Sequence, residues 1–265
     1  MPELPDVQVF KEYLESTSLH QRIEGVTVAA DRILVDVSAR TLKSRLREKS
    51  LISTQRHGKH LFVEIEDDAW LRLHFGMTGK LEYFKGEREL QEHVRLRLDF
   101  ANDYHLAYSN TRRLGEIGLV DDIADFVKEE DLGPDALARD FDLAAFREAL
   151  AGRRGRIKAT LMNQSVLAGI GNIYADEILF QASLHPEAKA NRLKADTVRD
   201  LYRAMHRVLK QAIEARADPE RVPRSYLLPH RGADGECPHC GRGLKKTKVS
   251  GRATYFCSAD QRRRR

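Results

Sequence analysis

The chain has 265 residues, 42% hydrophobic and 32% charged, with a net charge of +5 at pH 7 and a pI near 9.1. That length allows two modest domains with cores of their own. No stretch approaches the roughly 18–20 uninterrupted apolar residues of a membrane span and the start lacks a signal-peptide pattern, so a cytoplasmic protein with no membrane partner is expected.

The chain opens Met1-Pro2-Glu3-Leu4-Pro5-Asp6. Removing Met1 would expose a secondary amine on a rigid ring. An α-amino group titrates near pH 7.7–8.0, so roughly a tenth is neutral and nucleophilic at pH 7. Glu3, directly beside it, could move protons for whatever that amine attacks. On these six residues alone an ordinary chain start is the simpler reading.

From Asp6 to about Ser18, Val7, Phe10 and Leu14 recur at helical spacing, with Asp6 placed to cap after Pro5. From about residue 22 to 121 the runs are short: Val26–Val28, Ile33–Val37, His60–Ile65, Leu71–His74, Val94–Leu98 and His105–Tyr108. Val94, Leu96 and Leu98 alternating with Arg95 and Arg97 suit strands with one wet face, and regular turn signals suggest an antiparallel sandwich or barrel. A helix at about Ala39–Glu48 interrupts them. Helical patterns follow at 122–129, 143–151, 157–165, 172–182 and 195–216, and the last has an apolar stripe of Val198, Leu201, Met205, Val208, Leu209 and Ile213. Prolines and glycines mark 217–236 as a loop. Strands first and helices second make an α+β protein with a boundary near 130–140.

Two later stretches carry chemistry. In the first, Gly169-Ile-Gly171 separates two helical patterns and permits close approach of backbone to a partner. Asn172 then opens a helix whose N–H groups favour an anion such as phosphate, although ordinary helix packing explains the local pattern equally well. In the second, Cys237-Pro-His-Cys240 is separated by sixteen residues from Cys257-Ser-Ala-Asp260. All three cysteines lie here, which argues against a disulfide framework and for a zinc ribbon with Asp260 or His239 as fourth ligand. Ala253–Phe256 reads as a returning strand; without metal, Tyr255 and Phe256 could still dock such a hairpin. Residues 237–265 hold nine Lys and Arg against one acid, including Arg262, Arg263, Arg264 and Arg265. A folded tail of that charge favours phosphate; a solubility tail is the plainer alternative.

Pro2-Glu3-Leu4-Pro5, Gly58-Lys59, His74-Phe-Gly-Met-Thr-Gly79, Arg112-Arg113-Leu-Gly115, Ala168-Gly-Ile-Gly-Asn-Ile-Tyr-Ala-Asp-Glu-Ile-Leu-Phe180 and the cysteine-rich end occur in one order. In that order the chain resembles the formamidopyrimidine-DNA glycosylase / endonuclease VIII family of base-excision repair enzymes over essentially its full length, and its start is closer to the formamidopyrimidine branch. The resemblance implies an N-terminal catalytic β-sandwich domain (1–132), a helix-two-turn-helix DNA-binding domain (133–230) and a zinc-finger-like β-hairpin (231–265). It implies a monomeric bifunctional DNA glycosylase/AP lyase acting on oxidised bases, of 8-oxoguanine or formamidopyrimidine type, in damaged duplex DNA.

By the same resemblance the amine of Pro2 attacks C1′ of the damaged nucleotide and forms a Schiff base, with Glu3 handling protons. Lys59 is assigned to β-elimination and Arg252 to δ-elimination. Met77, Arg112 and Leu114 fill the gap left by the extruded base, a step that costs a few kcal/mol of unstacking. Arg153, Lys158 and Asn172 match phosphate contacts. A family histidine that touches DNA falls on Gln91, with His93 two residues on. Cys237, Cys240, Cys257 and Asp260 would hold one structural zinc.

The chain also departs from the pattern. Leu114 stands where phenylalanine is usual, Asp6 for glutamate, Asn163 for aspartate and Asp260 for a fourth cysteine, and the loop before the cysteines is altered around Val222–Tyr226 and Pro229–Arg231. These departures suit an alternative, a scaffold that binds damaged or abasic DNA with little or no excision. A zinc-ribbon RNA-binding protein would account for the basic tail but leaves the Pro-Glu start unexplained.

Overall fold

The computed structural model describes residues 1–66, 69–86 and 91–262; Arg263, Arg264 and Arg265 of the basic tail lie outside these. The chain divides into two compact units, Met1–Pro2 with Asp6–Glu130, and Glu3–Pro5 with Asp131–Arg265.

Helix α1 (Leu4–Thr17) starts two residues earlier than expected, so Asp6 lies in its first turn instead of capping it. An acid there complements the helix dipole, and Pro5 is tolerated because first-turn N–H groups have no partner within the helix. In the first unit follow β1 (Ile23–Val28), α2 (Ala39–Leu46), β2 (Leu51–His57), β3 (His60–Ile65), β4 (Ala69–His74), β5 (Gly79–Lys85), β6 (Val94–Phe100), β7 (Tyr104–Asn110), β8 (Glu116–Val120) and α3 (Ile123–Glu129). They form two antiparallel four-stranded sheets, ordered β1-β6-β7-β5 and β2-β3-β4-β8. Both contribute to one core, with Ile23, Leu96 and Leu106 from the first and Leu51, Val63, Leu71 and Ile117 from the second.

Ile33–Val37 is not a strand. Asp31–Ile33 is a single 3-10 turn and Asp36 takes φ +56, so these apolar residues fill the core from an irregular segment. Conversely, β2, β5 and β8 have no marked apolar run, and all three are sheet edges, where one flank lacks a neighbouring strand. The wet face expected of β6 fails at Arg95, which is buried and donates from Nε to Asn110 O at 3.0 Å.

The second unit holds α4 (Leu143–Leu150), α5 (Ile157–Met162), α6 (Asn172–Gln181), α7 (Ala195–Glu214) and a hairpin of β9 (Lys245–Val249) and β10 (Arg252–Phe256). Helix α7 buries the expected stripe apart from Ile213, which is partly buried, whereas α6 is buried continuously from Tyr174 to Phe180 and is the central element. Ser250 and Gly251 take φ +48 and +75 between the paired residues Val249 and Arg252, the conformation a two-residue hairpin loop favours. No helix among the described residues is long and apolar enough to cross a membrane.

Candidate active site

Glu3 is buried, and its carboxylate is held by the start of α6. Oε2 accepts the N–H groups of Gly171 at 2.7 Å and Tyr174 at 3.2 Å, and Oε1 accepts that of Ile173 at 2.8 Å. These are N–H groups a helix start cannot satisfy internally, and the positive end of its dipole favours the anion they receive. The glycines are required by this contact. A Cβ on Gly171 would lie 2.5 Å from Glu3 Oε1, and one on Gly169, at φ +108, would lie 2.6 Å from Leu4 Cδ1. Leu4 N–H also donates to Gly169 O at 3.0 Å. The close partner expected at Gly169-Ile-Gly171 is therefore the chain's own start, and the anion at the α6 N–H groups is Glu3.

Lys158 lies inside the second unit. Its ammonium pairs with Asp176 Oδ1 at 2.6 Å and donates to Asn172 Oδ1 at 2.7 Å, Thr254 Oγ1 at 2.8 Å and Ala253 O at 3.3 Å, with no side-chain exposure. Burial pulls the Lys158 pKa below the usual lysine range and pushes that of Asp176 up, while their attraction opposes both shifts. A phosphate reaching this ammonium would have to displace one of its present partners. Asp176 also receives Arg231 Nε at 3.0 Å and Tyr255 N–H at 3.2 Å. This network ties α5 and α6 to β10, whose first residue, Arg252, is exposed beside the hairpin loop. Arg153 is exposed in the segment before α5.

In the first unit, Lys59 sits in the two-residue turn between β2 and β3, after Gly58 at φ +57. Met77 lies in the turn between β4 and β5, and Arg112 and Leu114 lie in the loop between β7 and β8. Arg112 is exposed, and Leu114, at 50%, joins Met1 as an exposed large hydrophobic side chain among the described residues. Gln91 and His93 are exposed just before β6.

The cysteine segment brings four donors together. The ligand atoms of Cys237, Cys240, Cys257 and Asp260 all lie within 4.8 Å of one another, a possible metal-binding group. Cys240 Sγ and Cys257 Sγ are 3.6 Å apart, close to the edge of about 3.8 Å for a tetrahedron with Zn–S of about 2.3 Å. Cys237 Sγ donates to Asp260 Oδ2 at 3.0 Å. His239 packs tilted against Phe180 with ring centroids 4.6 Å apart, and its Nδ1 lies 3.8 Å from Asp260 Oδ2. Three cysteines and an aspartate at this spacing are consistent with a zinc site.

A family model of the formamidopyrimidine-DNA glycosylase N-terminal domain matches residues 1–117, and one of the formamidopyrimidine-DNA glycosylase H2TH domain matches residues 132–222. The formamidopyrimidine-DNA glycosylase of Pelotomaculum thermopropionicum is 31% identical over 99% of both chains, and that of Lactococcus lactis subsp. cremoris is 32% identical over 99% of this chain and all of its own. The chain belongs to the formamidopyrimidine-DNA glycosylase family. In structure it is similar to the Lactococcus lactis formamidopyrimidine-DNA glycosylase solved with DNA containing an abasic site (TM-score 0.89, 31% identity, 98% of this chain and 99% of that one).

Within this formamidopyrimidine-DNA glycosylase fold, several residues that matter to the site have roles that no local sequence pattern shows. Gln261 closes the second cysteine turn, its Oε1 accepting Cys257 N–H at 2.8 Å while its Nε2 donates to Leu184 O at 3.0 Å. Glu177 accepts Leu228 N–H at 2.8 Å and so ties the loop before the cysteines to α6. Asp176 and Arg231 complete the Lys158 network. Only Asp176 and Glu177 stood in a recognisable motif, and their adjacency gave no sign that they serve two different segments.

Proposed function

We propose that this protein is a DNA glycosylase/AP lyase that excises oxidised bases, of 8-oxoguanine or formamidopyrimidine type, from duplex DNA. The observation that carries the reading is Glu3: next in the chain to Pro2, its carboxylate is buried and fixed by three backbone N–H groups. Such charge-assisted bonds hold a proton-transferring group in one orientation. Once Met1 is removed, the Pro2 amine attacks C1′ of the damaged nucleotide. The base leaves with the bonding pair of its C1′–N bond. The C1′–O4′ bond then opens as O4′ takes a proton, and the iminium ion that forms draws electrons from C2′. Loss of a C2′ proton expels the 3′ phosphate, and a second elimination expels the 5′ phosphate. Lys59 and Arg252 are the cations assigned to those two phosphates. Met77, Arg112 and Leu114 occupy the gap in the stack, and Gln91, His93, Arg153, Lys158 and Asn172 support the DNA, Lys158 from within the fold.

One structural zinc is assigned to Cys237, Cys240, Cys257 and Asp260. Its contribution is to hold the two turns at the base of the hairpin that carries Arg252. Asp260→Ala should lower zinc content measured on the purified protein, and unchanged content would remove that aspartate from the ligand set. Acting on DNA, the protein would work in the cytoplasm.

The test is a duplex carrying 8-oxoguanine or a formamidopyrimidine. The expected products are the free base and a one-nucleotide gap with phosphate at both ends. Tight binding to abasic duplex with neither base release nor strand cleavage would replace this reading with that of a binding scaffold.

A further inference from the structure

Three separate segments of the first unit meet at one buried side chain, Asn110, at the end of β7. Its Nδ2 donates to Phe75 O at 3.1 Å, beside the Met77 turn, and to Tyr108 Oη at 3.2 Å. Its Oδ1 accepts from Thr78 Oγ1 at 3.2 Å and from Leu114 N–H at 3.4 Å. Thr78 Oγ1 in turn accepts Arg112 N–H at 3.0 Å. The main chain of Asn110 is equally committed, its N–H donating to His93 O at 2.8 Å and its carbonyl accepting from buried Arg95 Nε at 3.0 Å.

The surroundings leave these loops little freedom. Gly76 has φ +56, and a Cβ there would run into Leu114 O and lie 2.7 Å from Gly115 N, so two of the loops touch main chain to main chain. Tyr108 Oη donates to His74 O at 2.9 Å, and burial pushes its pKa up to about 12. An asparagine suits the position because it offers donors at one end of its amide and an acceptor at the other.

We propose that Asn110 is the positioning residue that holds Met77, Arg112 and Leu114 as one preset group for entry into the DNA stack, a role that rests on the glycosylase reading above. Asn110 touches no substrate. Its removal leaves Leu114 N–H and the Thr78 hydroxyl without their acceptor, so the loops relax and the three side chains no longer arrive together.

The test compares wild type with Asn110→Ala and Thr78→Val in single-turnover excision of 8-oxoguanine from a duplex with 2-aminopurine opposite the lesion. Fluorescence of that base reads insertion into the gap independently of chemistry. Asn110→Ala should slow excision roughly 10- to 100-fold, the order expected when reacting groups are misplaced by about 1 Å. Both variants should blunt the fluorescence change, Thr78→Val less strongly, and both should weaken duplex binding far less than excision, because phosphate contacts carry most of the affinity. Circular dichroism checks the fold; if Asn110→Ala unfolds, Thr78→Val decides alone. Unchanged excision, or slowed excision with the full fluorescence change, overturns the role. A wild-type protein that releases no base overturns the glycosylase reading itself, a result distinct from an active wild type with indifferent variants.

Discussion

Gly171 has no room for a methyl group, because the space its Cβ would take is filled by the Glu3 carboxyl. In Gly171→Ala either Glu3 or the start of α6 must shift, at an overpacking cost of roughly 1–3 kcal/mol. Gly243 is the matched control, since nothing lies within 4 Å of its Cβ position. Gly171→Ala should therefore melt several degrees lower than wild type and lose excision, while Gly243→Ala keeps both. Equal melting temperatures for the two variants would show that Glu3 is not confined as described. Lys158 raises the same question of confinement. Removing its buried ammonium takes the partner from Asp176 Oδ1, while Arg231 and Tyr255 N–H stay on Oδ2, so its substitution acts on the fold before it acts on DNA.

Helix α6 distributes two adjacent acids to two different segments, Asp176 to the hairpin and Glu177 to the preceding loop. Burial raises the Glu177 pKa from 4.5 to about 7, against its hydrogen bonds from Gln181 and Leu228. The folded state thus binds a proton that the unfolded state has released. The linkage slope is negative in this window: stability from Glu177 is greatest below pH 4.5 and falls as pH rises to about 7. Relative to Glu177→Gln, which carries no such charge, wild type should lose roughly 3 kcal/mol across that range. Urea melts of both proteins at pH 5 and pH 8 measure it, and pH profiles running parallel would contradict the assignment. At this scale the sequence is also least explicit. Helices α1, α4 and α7 are written in their periodicity and α6 stands where a helical pattern at 172–182 is read, although it is buried from Tyr174 to Phe180 with no single stripe; β2, β5 and β8 are edge strands with weak apolar patterning.

Across the whole molecule, the motifs were legible and their meeting was not. Pro2-Glu3 and Gly169-Ile-Gly171 each stand out locally, yet Glu3 and Gly171 are 168 positions apart and no local pattern says that one receives the other. The cysteine spacing, by contrast, closes over few residues, and it brings Asp260, one of the two candidates for a fourth donor, within 4.8 Å of the three thiols. Asn110 stands just before the Arg112-Arg113-Leu-Gly115 motif without being part of it, and its complete burial follows from three loops converging on it. Catalysis depends on the amine of residue 2, which is available only when Met1 has left. Borohydride reduction during reaction with a duplex carrying 8-oxoguanine or an abasic site tests this most directly, because hydride turns the iminium ion into a stable tertiary amine. The account predicts a protein–DNA adduct that peptide mapping places on Pro2, and none from protein that retains Met1. An adduct on a lysine, or an equal yield with Met1 in place, would contradict it.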